Sequence, residues 1–145
     1  ILESFQAGLS WECILNKREN FQKAYDHFDI DKVCAYDEAK IKELEQDPGI
    51  VRNKRKIKAS VQNAKVFRQL QIEFGTFANY LEKFTKGNTL YEWDKTTNAL
   101  SDALSKDLQK RGMSFVGSTI IYSFLQAIGI INSHEPDCEL YVSIR

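Results

Sequence analysis

The first eleven residues contain a carboxylate, an apolar turn and an indole that together could bind a ligand. Glu3 lies among apolar neighbours near a helix end, where a carboxylate needs a cationic or hydrogen-bonding partner. Trp11 follows a Gly-Leu-Ser turn and could stack on a nucleobase, since every base has a π-face. Leu9, at the tip of that turn, could enter a base stack as an apolar wedge. The alternatives are a solvated Glu3, a core Trp11 and a Leu9 packed against a neighbouring helix.

A second candidate site lies at residues 110–119, where one helix ends and another begins around a tight apolar hairpin. Two glycines bound the hairpin and leave its backbone unobstructed. The first N–H groups of the next helix have no internal partner, so small residues there can seat a phosphate. This pattern predicts a helix-hairpin-helix that holds the DNA backbone without reading sequence, although a plain connector between helices is the alternative. The candidate DNA-binding residues are Lys110, Arg111, Gly112, Gly117, Ser118 and Thr119.

A third candidate is the H-x3-C spacing of His134 and Cys138. Imidazole nitrogen and thiolate sulfur are both good zinc ligands, and a structural zinc takes four of them. His27 and Cys34 form the other His and Cys pair, but their apolar neighbours favour ordinary packing. The pair at 134 and 138 therefore predicts half of a structural zinc site.

The chain has 20 basic and 20 acidic residues, and this zero net charge argues against indiscriminate coating of nucleic acid. A local basic surface is still possible. Residues 52–58 form a dense basic cluster, and Lys106, Lys110 and Arg111 form a smaller one near the hairpin. If both clusters face the same way, they could hold DNA phosphates.

The 145 residues suffice for one domain with a core. Because the chain begins at Ile1 with a helix apparently under way, we expect residues 1–145 to be a single helical domain that lacks its natural N-terminal segment. An apolar run long enough to span a bilayer is not found, and the three cysteines show no disulfide-like spacing. These observations favour a cytoplasmic monomer that does not contact a membrane.

Apolar residues recur with helical spacing along most of the chain, which predicts an all-α compact bundle. The longest helix should run over about residues 52–74, and Ser101 should cap a helix over residues 102–111. The helix after the hairpin is apolar on most sides and should be the most buried. Strand-like alternation is confined to a weak pattern at residues 140–144. A buried stripe is predicted to consist of Trp11, Ile14, Leu15, Phe21, Tyr25 and Phe28.

Taken together, these segments resemble the bacterial DNA-3-methyladenine glycosylase I family, the Tag-type branch of the helix-hairpin-helix glycosylases. The resemblance covers essentially the whole chain and is specific as a combination. The matching segments are residues 2–3, 6–11, 17–20, 49–52, 56–57, 100–106, 110–112, 115–117, 122–124, 126–127 and 129, with Asn132, His134 and Cys138.

The resemblance implies a monofunctional N-glycosylase, a hydrolase that cleaves the N-glycosidic bond of 3-methyladenine in alkylated double-stranded DNA and releases the free base. It implies that Glu3 recognises the methylated base, that Trp11 lines the base pocket and that Leu9 belongs to the turn that enters DNA. His134 and Cys138 match half of the family's structural zinc site. The family's upstream segment, which carries a Cys, a His and pocket tyrosines, does not match any part of this chain.

Two readings of a different class stay open at this point. One is a non-catalytic helix-hairpin-helix module that binds DNA phosphates, with Glu3 and Trp11 only structural. The other is an all-helical protein-interaction domain without salt-dependent DNA binding. Asp137 lies about where many helix-hairpin-helix glycosylases carry an essential aspartate. The Tag-type pattern places its zinc-ligand segment there, so a catalytic role is not assigned to Asp137.

Overall fold

The computed structural model describes residues 1–135 and Cys138, and these residues form an all-α bundle. The predicted positions Asp137 and 140–144 lie outside the described residues. The helices are α1 (Leu2–Gln6), α2 (Trp11–Asn16), α3 (Arg18–Ala24), α4 (Ile30–Cys34), α5 (Glu38–Gln46), α6 (Lys54–Phe74), α7 (Phe77–Thr85), α8 (Ala99–Lys110) and α9 (Ser118–Ala127). A 3₁₀ turn, Asp26–Phe28, joins α3 to α4. Two short strands, β1 (Leu90–Tyr91) and β2 (Ile131–Asn132), pair in parallel.

Polar caps set most of the helix starts. The Ser10 side chain accepts a hydrogen bond from the backbone N–H of Cys13, which confirms its predicted role as the N-cap of α2. The prediction that Ser101 caps α8 is wrong, because the helix begins at Ala99 and its N-cap is Asn98. Ser101 is instead the other half of a capping box, in which it and Asn98 bond to each other's backbone N–H groups, each at 2.8 Å.

Helix α6 runs through the middle of the molecule and contributes to two clusters of buried side chains. Ile57 and Val61, in its first half, pack with Phe5, Phe21 and Tyr25 in the first cluster. The second half of α6 packs with α7, α8 and α9. The members of this second cluster from α6 and α8 are Val66, Leu70, Leu104 and Leu108. The two halves of the bundle therefore share one helix.

Two predictions about burial are wrong in part, although Ile14, Phe21 and Tyr25 of the predicted stripe are fully buried. The stripe over residues 11–28 is interrupted because α2 ends before Lys17 and α3 starts after it, so Trp11 and Leu15 are 42% and 48% exposed. In α9, three residues are buried, but the end of the helix turns outward and its C-cap Ile128 is 45% exposed. The change of helix register at Lys17 has no apolar signature that the sequence pattern could reveal.

The turn Asp26–Phe28 holds three successive non-glycine residues in the left-handed region, with φ values of 49°, 56° and 60°. Such conformations are costly and persist only where the surroundings hold them. Here the Tyr36 hydroxyl donates to Asp26 Oδ2 at 2.6 Å, and the ring of Phe28 stacks on Tyr25. The turn directs Phe28 toward the cavity described below.

None of the described helices has the length and apolar character needed to cross a bilayer.

Candidate active site

A cavity of about 440 Å³ opens between α1, α6, α8 and α9. Its walls are mainly apolar, and the described lining residues include three with polar side chains, Glu3, Ser4 and Asn63. Aromatic side chains from four different elements form much of the wall. They are Phe28, Phe67, Phe77 and Phe124. A flat apolar ligand with one charged or polar edge fits this arrangement.

Glu3 is the carboxylate of this cavity. It lies in the first turn of α1, is partly buried, and joins Ile1, Leu2 and Ser4 in lining one wall. Burial raises the pKa of the Glu3 carboxyl above its ordinary value. The charged form of this group therefore gains when a cation or a hydrogen-bond donor enters the cavity. Glu3 therefore lies in the wall of a mainly apolar cavity, and its role in recognising a base stays a prediction.

Trp11 and Leu9 are placed differently from the predictions. The indole of Trp11 is 42% exposed at the start of α2, and the described lining of the cavity does not include it. Leu9 is half-buried and packs against the first core cluster, which is the packing alternative to a free apolar tip. Its backbone is fixed by hydrogen bonds in both directions with Gln6.

The loop between α8 and α9, residues 111–117, is held tightly to α6. The Asn63 side chain donates to the Ser114 carbonyl at 2.8 Å and accepts from the Ser114 N–H at 2.9 Å. Ser105 donates to the Val116 carbonyl at 2.7 Å. Gly112 has a φ of +104°, which side-chain-bearing residues rarely adopt. The loop thus joins α8 to α9 and contains Gly112 and Gly117, and its assignment as the hairpin of a helix-hairpin-helix stays a prediction.

The candidate DNA-binding residues of this segment differ in their exposure and in their hydrogen-bond partners within the chain. Lys110, Gly112 and Thr119 are exposed. Gly117 is the N-cap of α9, and the N-terminus of that helix receives no side-chain cap. The Ser118 hydroxyl donates to Asp102 Oδ1 at 2.5 Å, so a carboxylate already lies beside this helix end.

Arg111, from the predicted DNA-binding set, has ion-pair partners within the chain. Its guanidinium donates to Asp107 Oδ2 through Nε and pairs with Glu73 Oε2 through an Nη atom, each at 2.8 Å. It also lies 5.5 Å from the ring centroids of Phe74 and Tyr80. Its charge is therefore matched within the chain, and its role in DNA binding stays a prediction.

His134 and Cys138 lie together. Cys138 Sγ is 3.8 Å from His134 Nδ1, a separation that suits two ligands of one tetrahedral zinc. A cluster of three or more metal-binding side chains does not occur within residues 1–135 and Cys138. The described residues therefore fit two positions of such a site.

A family model described as methyladenine glycosylase matches residues 1–141. The chain belongs to the methyladenine glycosylase family. DNA-3-methyladenine glycosylase 1 of Escherichia coli (strain K12) is 44% identical over 97% of this chain and 78% of that protein. The DNA-3-methyladenine glycosylase of Haemophilus influenzae is 34% identical over 94% of this chain and 77% of that protein.

Solved structures of this family superpose closely on the chain. A crystal structure of 3-methyladenine DNA glycosylase I gives a TM-score of 0.90 at 38% identity and covers 95% of this chain and 79% of that one. The Staphylococcus aureus enzyme, studied for its recognition of 3-methyladenine, gives 0.90 at 32% identity and covers 95% of this chain and 77% of that one. The all-α fold implied by the sequence resemblance is confirmed.

Two residues of α6 beside the site have structural roles that the sequence analysis did not predict. Lys56 belongs to the basic cluster at 52–58 but is only 7% exposed, and Asn63 was not singled out at all. Helical spacing offers one signal for Lys56, because it shares a face of α6 with the buried Ser60 and Ala64. For Asn63 we find no such signal.

Proposed function

We propose that this DNA glycosylase removes 3-methyladenine from alkylated DNA by hydrolysing its N-glycosidic bond, and that Glu3 recognises the flipped base. The activity makes the chain a hydrolase of base-excision repair. One observation supports the role of Glu3 above all: its partly desolvated carboxylate lies in the wall of a mainly apolar cavity. The comparisons support the activity itself.

The chemistry requires little more than recognition and access for water. Methylation at N3 makes the adenine of the nucleoside cationic, so the bond to the sugar is already weakened. Once the nucleotide is flipped out of the stack, water adds to the anomeric carbon and the bonding electron pair leaves with the base, which departs neutral. The proton from the water passes to solvent. A carboxylate in a low-dielectric site stabilises the cationic base more than neutral adenine, which gives selectivity for the damaged base.

We propose that the DNA duplex contacts the helix-hairpin-helix formed by α8, residues 111–117 and α9. Lys110, Gly112, Gly117, Ser118 and Thr119 lie along this edge, and a phosphate can approach the uncapped N–H groups of α9. Trp11 offers an exposed indole near the Gly8 turn for stacking on a base. Leu9 supports that turn from within the core.

We infer that His134 and Cys138 supply two ligands of a structural zinc. A metal there would fix the segment after β2 against the rest of the fold, and the remaining two ligands would come from outside the described residues. The test is metal analysis of the purified protein and of a His134→Ala variant, together with thermal melting in the presence of a chelator. A melting temperature unchanged by the chelator, with no bound zinc, would remove the metal from the proposal.

The proposal also takes the enzyme to be a cytoplasmic monomer. All three cysteines, Cys13, Cys34 and Cys138, carry free thiols, which suits a reducing compartment. Sedimentation of the purified chain at several concentrations tests the oligomeric state.

Glu3→Gln tests the central claim. We expect release of 3-methyladenine from methylated DNA to slow by about 100-fold, because the preorganised charge beside the base is lost. Glu12→Gln makes the same chemical change at an exposed position of α2 and should leave the rate unchanged. Release at the wild-type rate by the Glu3 variant would exclude this carboxylate from recognition, whereas DNA binding without release by the wild-type protein would favour a non-catalytic module.

A further inference from the structure

Lys56 is a buried lysine that the mechanism above does not use. It is 7% exposed, whereas the side chains of Lys54 and Lys58 on the same helix are 61% and 46% exposed. Its position in the first turn of α6 is electrostatically unfavourable, since the N-terminus of a helix carries partial positive charge. Burial also lowers the pKa of the Lys56 ammonium. A lysine held under these conditions needs strong partners.

Those partners are carbonyl groups of α1. Lys56 Nζ donates to the Phe5 carbonyl at 2.9 Å and to the Ala7 carbonyl, and within the described residues no carboxylate forms an ion pair with it. The last carbonyls of a helix have no partner within the helix, so a cation there satisfies them and complements the helix dipole. Lys56 thus caps the C-terminal end of the helix that carries Glu3.

Helix α1 has a special need for such a contact. It has five residues, and a helix this short is not stable by itself in water. Its buried anchor is Phe5, two residues beyond Glu3. The position of Glu3 in the cavity wall therefore depends on what holds the end of α1.

The same ammonium also faces the loop at residues 111–117. Lys56 Nζ lies 5.8 Å from the centroid of the Phe115 ring, within reach of a cation–π interaction. Phe115 has a φ of +56°, and the preceding Ser114 is clamped by Asn63, also on α6. Helix α6 therefore holds both α1 and the loop, and Lys56 touches the two at once.

We propose that Lys56 is a positioning residue that fixes α1 against the loop at 111–117 and thereby holds Glu3 in the cavity wall while the loop holds DNA. This inference rests on the proposed role of Glu3. It assigns to a residue of the basic cluster a task other than binding phosphate, since a buried ammonium that already donates to two carbonyls is not available to the DNA backbone.

The test is a double-mutant cycle on the full chain, with single-turnover release of 3-methyladenine as the measurement. Lys56→Met should slow release by about 100-fold, which is the cost of a small misplacement of a catalytic group. Lys65→Met removes the same charge from an exposed position further along α6, outside the basic cluster at 52–58, and its rate should stay within about twofold of wild type. In a Glu3→Gln background, Lys56→Met should slow release little further, because residues that act through one another are not additive.

Thermal melting of each variant checks that it is folded. A second variant, Lys56→Gln, keeps a hydrogen-bond donor for one carbonyl and should slow release less than Lys56→Met. A folded Lys56 variant that releases the base at the wild-type rate overturns the proposal. So does a Lys56 variant that slows the Glu3→Gln enzyme as much as it slows wild type. If Glu3→Gln is fully active, the proposed role of Glu3 in base recognition is wrong whatever the Lys56 variants show. Failure of that proposal is thereby distinguished from failure of the proposal for Lys56.

Discussion

At the scale of single residues, burial decides which charged groups can contribute to function. Glu3 lies among apolar residues in the sequence, and Lys56 lies in a segment rich in basic residues. In the folded chain Glu3 is partly buried and Lys56 is buried. The sequence was sufficient to single out Glu3, because its neighbours are apolar. It was not sufficient for Lys56, because a lysine among Arg52, Lys54 and Arg55 has the pattern of a solvated helix face.

The raised pKa of Glu3 predicts a pH dependence of base release. Under the proposed role of Glu3, protonation removes the charge that recognises the cationic base, so kcat/KM for release should fall as the pH decreases through the raised pKa, with a midpoint above the ordinary Glu value of about 4.3. Values of kcat/KM between about pH 8 and pH 4, corrected for spontaneous depurination, measure this, because kcat/KM reports the pKa of the free enzyme, whereas a bound cationic base lowers the pKa of the carboxyl. The slow residual activity of Glu3→Gln should lack that midpoint, and a wild-type midpoint at or below the ordinary value would contradict the burial argument.

Asp107 predicts a different pH dependence, in stability. Burial alone would raise the pKa of Asp107, but hydrogen bonds from Tyr80 at 2.6 Å and from Arg111 outweigh it and lower the pKa. A lowered pKa in the folded state gives stability that is present above the unfolded value of about 3.9 and is lost as the pH falls through the folded value.

The corresponding variant is Asp107→Asn. It should be less stable than wild type near neutral pH, and the difference should shrink as the pH falls below about 5. Urea unfolding at several pH values gives the comparison, with the exposed Asp94→Asn as the matched control. A difference that stays constant from neutral to acid pH would show that the ionised carboxylate of Asp107 contributes no stability.

At the scale of elements, the pair of helices α8 and α9 with their loop is where sequence and structure agree best. Glycine positions and apolar periodicity were enough to predict two helices and a tight connection, although the start of α8 was misplaced by taking Ser101 rather than Asn98 as the cap. The packing of the loop against Asn63 was not predictable, since it depends on a residue far away in the chain.

Alanine should destabilise the fold far more at Gly112 than at Gly117, the two glycines of this loop. At Gly112, with φ at +104°, a methyl group meets Gln62 Nε2 at 3.4 Å, so Gly112→Ala should lower the free energy of unfolding by about 2 kcal/mol. At Gly117, φ is −58° and the added methyl meets nothing within 4 Å, so the loss should be about 0.5 kcal/mol, from the weaker helix cap.

The Gly112→Ala and Gly117→Ala variants should also differ in their affinity for DNA. Gly117→Ala places a methyl group where a phosphate would approach α9, and it should weaken DNA binding while leaving the fold intact. Chemical denaturation and fluorescence anisotropy on the same preparations measure both quantities. Equal stability of the two variants would contradict the conformational argument, and unchanged DNA affinity of Gly117→Ala would argue against phosphate contact at this helix end.

At the scale of the whole molecule, the cavity lies where the two core clusters approach each other. Phe28 and Ala64 line it from the first cluster, and Phe77, Val116 and Phe124 line it from the second. The helical class and the single bundle followed from apolar spacing alone. The cavity did not, because its walls come from helices that are remote in sequence.

Since both clusters contribute walls, free 3-methyladenine should stabilise the entire fold. A ligand that binds the folded state at 100 times its Kd adds about 2.7 kcal/mol, which corresponds to several degrees in Tm for a domain of this size. Differential scanning fluorimetry with 3-methyladenine, and with adenine at the same concentration as the control, measures the shift. Identical shifts for the two bases would contradict selective recognition, and the absence of any shift would argue against a base-binding cavity.

The sharing of α6 between both clusters has a consequence for damaged or partly denatured molecules. A repair enzyme that kept its grip on a lesion after losing its catalytic half would shield that lesion from other repair. Because α6 supports both α1 and the loop at 111–117, melting of either half withdraws support from the other. Partial unfolding should therefore abolish base release and DNA binding together, so that an inactive molecule dissociates and leaves the lesion accessible to another copy of the enzyme.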